Sequence, residues 1–181
     1  DIEELTTQGL LRTFKEYLRE EQREKNRDLV RQATSVDRTG QTFPAIVIDP
    51  PWDWEDEDDA DQMGRAQPTY TTKPFEELVA LDIAGLSQEN AHLYLWITNR
   101  SLPKGFSLLD AWGFRYVTML TWIKPSFGMG NYFRGSTEHV LFGVKGALPL
   151  LRRDVGTHFA AARPGPHSGK PDEFYTLVET C

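Results

Sequence analysis

Apolar positions along this 181-residue chain follow two periods, and the alternation between them lays out the elements. Leu10, Leu11, Phe14, Tyr17 and Leu18 recur at helical spacing, and Arg19 to Asp28 is almost wholly polar or charged. That pattern predicts an N-terminal helix with one apolar patch, suited to packing on the domain or on a partner, and a solvated continuation. Thr34 to Phe43 reads as a linker containing Gly40. The run Ala45-Ile46-Val47-Ile48 is continuous and rich in β-branched residues, which predicts a central strand of a sheet covered on both faces. A second such run, Ala91 to Thr98, predicts another central strand, and Tyr116 to Ile123 and Glu138 to Val144 predict a third and a fourth. Helices fall between and after them. One opens at Thr72 as N-cap and runs through Leu81. Another covers Leu102 to Trp112, with Pro103 in its first turn and Gly113 just past its end. A last one covers Pro171 to Thr180. Lys124 to Gly135 is expected as a loop and Arg152 to Lys170 as irregular chain. Strands alternating with helices imply an α/β fold with a mostly parallel central sheet and helices on both faces.

Length and composition, with 39% hydrophobic residues, suit one globular domain with a real core. The expected division is a helical extension and linker over residues 1–40 and a domain over residues 41–181. The single cysteine, Cys181, excludes an internal disulfide and a cysteine-based metal cluster, which fits a reducing, cytoplasmic setting. No apolar run approaches the roughly 18 residues needed to span a bilayer, and the acidic N-terminus resembles neither a signal nor a transit peptide.

The formal net charge of −7 hides a strong segregation. Between residues 49 and 62 there are eight acids and no base: Asp49, Asp53, Glu55, Asp56, Glu57, Asp58, Asp59 and Asp61. Between residues 115 and 170 the balance reverses, with Arg115, Lys124, Arg134, Lys145, Arg152, Arg153, Arg163 and Lys170 against Glu138 and Asp154. A face built from the second window suits phosphates. The acidic stretch through Gly64 is too polar to bury and is expected as a surface loop; it lacks the glycine turn and terminal glutamate of a calcium loop. The four histidines share no metal-ligand spacing, so no metal is predicted.

Candidate chemistry gathers at Asp49-Pro50-Pro51-Trp52, directly behind the first apolar run. Two prolines fix φ near −65° and bias Asp49 away from the α region. Asp49 and the Pro50 carbonyl are therefore expected in a stiff elbow past a strand's carboxyl end, where open α/β sheets bind ligands. An exocyclic base amine such as adenine N6 is a poor nucleophile because its lone pair is delocalised into the ring. A carboxylate and a carbonyl that take its two hydrogens would reshape it toward tetrahedral nitrogen and aim the lone pair. Such alignment is worth roughly 7 to 11 kcal/mol, the carboxylate stabilises positive charge developing on nitrogen, and an aromatic ring at Trp52 would stack on the base for about 1 to 3 kcal/mol. The same four residues also fit an ordinary turn after a strand.

Further matches follow in order: Tyr70-Thr71-Thr72, Leu93-Tyr94-Leu95-Trp96-Ile97-Thr98, Trp112-Gly113-Phe114, Trp122-Ile123-Lys124, Glu138 through Gly146, and His167-Ser168 with Lys170-Pro171-Asp172-Glu173. With them the chain resembles the DPPW-type adenine N6 methyltransferases, from about Phe43 to Cys181. The resemblance implies a Rossmann-like methyltransferase fold, an S-adenosylmethionine donor, and transfer to N6 of adenine in DNA or RNA, DNA slightly favoured. The target would be unpaired or flipped out of a duplex. Asp49, Pro50, Pro51 and Trp52 would be catalytic, with Asp49 also facing the donor. Tyr70 would line the donor or base pocket, and Lys145 would sit near the donor's ribose or carboxylate.

Among substrate-binding candidates, Asn99 lies immediately past a strand, Lys124 and Arg134 belong to the basic window, Glu138 opens a strand, and His167 and Lys170 precede a helix. Trp96, Trp112 and Trp122 are expected in the core. Chains of this family continue past the last helix into a strand and turn that bind the donor, so that C-terminal cofactor element is expected to be missing here. Members also pair, active with inactive, which makes a homo- or heterodimer an expected partner state. The alternative function is a non-catalytic nucleic-acid-binding or scaffold subunit of the same fold. A P-loop hydrolase is excluded, because its lysine-bearing glycine loop is absent.

Overall fold

The structure, a computed structural model, describes residues 40–52, 72–128, 132–165 and 169–181, together with residues 9, 11, 13, 14, 17, 18, 21 and 24. Chain contacts divide it into two compact units: Asp1–Gly40 with Asp53–Lys73, and Gln41–Trp52 with Pro74–Cys181. Within the first unit the described residues from Gly9 to Glu24 are helical, and Leu11, Phe14, Tyr17 and Leu18 are all exposed. The acidic stretch that follows the elbow lies outside the described residues.

The second unit is built on a five-stranded sheet. Its elements are β1 (Phe43–Ile48), α1 (Phe75–Val79), α2 (Ile83–Leu86), β2 (Ser87–Ile97), α3 (Leu102–Ala111), β3 (Arg115–Gly128), β4 (Gly135–Lys145), β5 (His158–Ala160) and α4 (Asp172–Thr180). The strand order is β1-β2-β4-β3-β5. β1 runs parallel to β2 and β5 parallel to β3, while β4 is antiparallel to both of its neighbours. Four strands therefore point one way and β4 runs against them, closing a hairpin with β3. No helix among the described residues is long and apolar enough to cross a membrane.

Local chemistry explains the boundaries. α3 starts with Pro103 in its first turn and stops at Trp112, after which Gly113 takes φ +78°. α2 is capped by the Asp82 carboxylate, which accepts from the Gly85 N–H at 2.9 Å. Pro74, not Thr72, caps α1. β3 and β4 extend further toward one another than the apolar runs predict, so Lys124 to Gly128 and Gly135 of the expected loop are strand. The three-residue β5 falls in the stretch expected to be irregular, because so short a segment carries too little periodicity to register.

Among the described residues β1 pairs with β2 alone, and Phe43, Ala45 and Val47 remain exposed. A run of β-branched residues signals a strand, but nothing in the run counts its neighbours.

Alternation along β2 sorts its side chains onto two faces. Leu93, Leu95 and Ile97 share one face with Leu141 and Gly143 of β4, and α3 covers it. Tyr94 and Trp96 share the other with Val140, Phe142, Leu120 and Trp122, and Phe174 of α4 seals it with its ring 4.7 Å from that of Trp96. Trp96, Trp112 and Trp122 are 1%, 2% and 1% exposed, so all three belong to the core as expected. Helices thus cover both faces.

Gly143 is required where α3 crosses β4. A Cβ there would stand 2.9 Å from Leu109 Cδ2 and 3.1 Å from Phe114 Cβ, inside the closest tolerated contacts. Gly143→Ala is expected to destabilise the domain by about 1–3 kcal/mol through overpacking. Denaturant unfolding checks this: the midpoint should fall while the m-value stays constant.

Candidate active site

The carboxyl ends of β1, β2 and β3 and the start of β4 share one rim of the sheet. The apolar residues of β1 deliver Asp49 to that rim, and the two prolines end the strand there. The elbow closes on itself: the Trp52 N–H donates to the Pro50 carbonyl at 2.8 Å, a three-residue turn. That carbonyl keeps its second lone pair. Beneath the turn, the Trp52 indole N–H donates to the Trp96 carbonyl of β2 at 3.2 Å.

Trp52 is only 3% exposed. The indole nails the elbow to the neighbouring strand. The chain of cause runs from packing to function: burying the indole fixes where Asp49 and Pro50 stand.

Four charged side chains from four segments meet over the Trp96–Trp122 face. Lys170, just before α4, places its Nζ 3.0 Å from Asp49 Oδ2 and 3.0 Å from Glu138 Oε2, and 4.6 Å from the centre of the Trp96 ring. Glu138 of β4 uses its other oxygen, Oε1, to bind the Lys124 ammonium of β3, which itself lies 4.8 Å from the centre of the Trp122 ring. The charges alternate along the row: Lys124, Glu138, Lys170, Asp49. Lys124 and Lys170 side chains are 6% and 12% exposed, Glu138 23% and Asp49 39%. Asp49 is thus the most solvent-accessible of the four. Its open position at the end of the row makes it the member able to meet a ligand.

Burial and pairing act on the two acids differently. Desolvation pushes the Asp49 carboxyl up, Lys170 pulls it down, and the net position is above the usual aspartate value. Burial pushes Glu138 up as well, but Lys170 first and Lys124 with it more than cancel that, leaving it below the usual glutamate value. Glu138 thus stays ionised, anchored between two lysines, whereas Asp49 is the more readily protonated member. His139, next along β4, is pushed down by burial against the pull of Glu138, and its ring lies 3.0 Å from the Thr121 hydroxyl on the opposite face.

The sequence-derived candidates separate into three groups. Asp49, Pro50, Pro51, Lys124, Glu138 and Lys170 are brought together with Trp52 under them; Asn99 and Arg134 are exposed at the same rim. Lys124 is buried and holds Glu138. Lys145 is placed elsewhere. It pairs with Ala91 at the far end of β2, four residues or about 13 Å of strand below the Leu95 level that precedes Asp49. Its Nζ donates to Ser87 Oγ at 2.8 Å and the Ala84 carbonyl at 3.2 Å, so it ties α2 to β4. Tyr70 and His167 lie outside the described residues. The contribution that sequence reasoning missed is the Trp96 ring as a seat for Lys170; no local signal joins residues so far apart in the chain.

A family model described as MT-A70 matches residues 43–181. The chain belongs to the MT-A70 family. Its relatives include a probable N(6)-adenosine-methyltransferase MT-A70-like protein of Oryza sativa subsp. japonica, 32% identical over 152 residues, which takes in 80% of this chain and 20% of that protein. The N(6)-adenosine-methyltransferase catalytic subunit METTL3 of Homo sapiens is 29% identical over 145 residues, 76% of this chain and 23% of that protein. The type II methyltransferase M.MunI of Mycoplasma sp is 28% identical over 155 residues, 76% of this chain and 65% of that protein. The chain thus spans about a fifth of the length of the plant and animal relatives. The MT-A70 match begins at the first residue of β1 and takes in the whole sheet, which has the mixed, mainly one-way strand order of a Rossmann-like methyltransferase fold.

Two outcomes are expected of this MT-A70 site. Trp52→Ala should cost about 3–5 kcal/mol, read as a lower midpoint of chemical unfolding, because it empties a buried volume and strands the Trp96 carbonyl. In a carboxyl-carbon NMR titration, Asp49 should protonate at a pH above the usual aspartate value. Lys170→Met removes its lowering partner and should move that transition higher still, whereas Lys170→Arg should hold it near the wild-type position.

Proposed function

We propose that the domain transfers a methyl group from S-adenosylmethionine to N6 of an unpaired or extruded adenine in nucleic acid. The observation that carries this reading is the Asp49 carboxylate, partly open at the sheet's carboxyl rim, with the Pro50 carbonyl fixed beside it by the buried Trp52. The names of the relatives, N(6)-adenosine-methyltransferases, support it.

Asp49 and Pro50 would each accept one N6 hydrogen, drawing the nitrogen toward tetrahedral geometry and holding its lone pair along the line of attack. When bound, S-adenosylmethionine would supply a methyl group from a sulfonium sulfur, the carbon–sulfur bond breaking as the carbon–nitrogen bond forms and the sulfur leaving as a neutral thioether. The positive charge then rests on nitrogen, and one of its protons becomes acidic. Asp49, which binds a proton more readily than an ordinary aspartate, would receive it and pass it to water.

Lys170 faces Asp49 in the absence of any other cation. Once positive charge develops beside Asp49, Lys170 can remain on Glu138 alone, so the site does not strand an unpaired ammonium. Asp49 is also the residue whose charge and exposure fit the donor's ammonium group. Lys145, 13 Å or so down the sheet, takes no part.

Asp49→Asn should reduce methyl transfer by about a hundredfold to a thousandfold and leave the unfolding midpoint nearly unchanged, since the side chain is 39% exposed. The assay uses donor labelled in its methyl group with adenine-containing DNA and RNA oligonucleotides. Undiminished transfer by the variant, or no transfer to either polymer by the parent chain, would sink the reading.

A further inference from the structure

The β3–β4 hairpin reaches well past the rim that carries Asp49. β2 ends at Ile97, opposite His139, whereas β4 begins at Gly135. Four further residues of β4 therefore overhang the end of β2, about 13 Å at the usual strand rise.

The overhang ends in aromatic side chains. Phe127, Tyr132 and Phe133 are 79%, 91% and 86% exposed, three of the four highest values among the large hydrophobic residues described. Tyr132 and Phe133 lie beyond the glycine pair Gly128 and Gly135, and Phe127 immediately precedes it. Tyr132 also holds φ at 50°, a left-handed conformation that a bulky residue rarely adopts. Local strain of this kind persists where the surrounding chain has a use for it. Arg134, also exposed, stands beside Phe133.

Charge narrows the choice of partner. In a chain with net charge −7, there is no acidic residue from Arg115 to Thr137. Exposed aromatic rings next to a guanidinium, without a nearby carboxylate, suit unpaired nucleobases on a phosphate backbone: the rings stack on base faces and the arginine meets phosphate. Such stacking tolerates any base, because every base has a π-face. An overhang of about 13 Å corresponds to three or four stacked nucleotides, so these rings would meet the bases beside a target in the Asp49 site and not the target itself.

We propose that Phe127, Phe133 and Arg134, with Tyr132, form a surface that stacks on unpaired nucleotides flanking the reacting base. It rests on the reading of the Asp49 site given above and assigns the substrate as a strand unpaired for several nucleotides around its target. The surface discriminates little among bases and sets affinity, while the Asp49 elbow selects the amine.

The test is fluorescence anisotropy of a labelled twelve-nucleotide oligothymidylate and the matching oligouridylate, neither of which holds an adenine. The double variant Phe127→Ala/Phe133→Ala should bind both between about tenfold and a hundredfold more weakly with an unchanged salt dependence. Arg134→Ala should instead flatten the salt dependence. A loss for one polymer only would assign the surface to that sugar and support the proposal. Unchanged binding by the double variant would overturn it, as would a shift from dimer to monomer in sedimentation with oligonucleotide binding intact, which would mark the tip as a protein interface. Both phenylalanines lie outside the core, so far-ultraviolet circular dichroism and the unfolding midpoint should match the parent. A chain that loses oligothymidylate binding in the double variant, yet transfers no methyl in the parent, would refute the methyl-transfer reading and leave this surface standing.

Discussion

Lys170 shares one ammonium between two carboxylates, Asp49 and Glu138, above the ring of Trp96. Each of these groups would be costly alone at this depth, since an isolated charge loses its hydration and an unpaired carboxylate would take up a proton. Together with Lys124 they alternate in sign, and the row is stable only if β1, β3, β4 and the segment before α4 all hold their positions. Glu138 is fixed by a lysine on each side, and the freedom in the row is concentrated at its solvent end, where Asp49 stands.

Aromatic packing supplies the floor. Trp96 meets the Trp122 ring edge-on at 6.0 Å and Phe174 at 4.7 Å, so the surface under Lys170 is held from three elements. The Trp122 indole donates to the Ala161 carbonyl at 2.9 Å, which ties the segment after β5 to the same layer. A ring in this position contributes in two ways: its edges are buried against neighbours and its face attracts the ammonium. The far end of the sheet works differently. There Lys145 and the Asn90 side chain, which accepts from the Ala147 N–H at 2.8 Å, fasten the turn after β4, and Gly146 takes φ +65° beside them. Polar groups at that end serve the fold, and those at the rim serve the site. Their residue types do not distinguish them.

Much of the architecture was legible in the chain. The helix at Leu102–Ala111 announced itself through Pro103 and Gly113, and the strands β2 and β4 through apolar runs, because those signals are local and act within a few residues. The elbow at Asp49 was equally plain, since two consecutive prolines leave the backbone little choice. What is not legible depends on neighbours distant in sequence. An apolar β1 signals a strand without naming its neighbours, and among the described residues it pairs with β2 alone. The residues around Trp52 do not reveal that its indole is buried under the elbow. Lys145 and Lys170 each follow a glycine-bearing or strand segment and look alike as isolated basic residues. One lies at the base of the sheet and the other beside Asp49.

The sequence by itself determined the alternation of strand and helix, the stiff acid-bearing turn, the segregation of charge and the family resemblance, because propensity, proline geometry and motif order are written residue by residue. Only the tertiary structure decided which lysine faces Asp49, that the Trp52 indole anchors the elbow, and that the β3–β4 hairpin stands beyond the rim. Those outcomes follow from strand register and direction. An antiparallel β4 carries Glu138 to the rim and Lys145 away from it, and that direction is set by the pairing of whole strands and not by any residue within them.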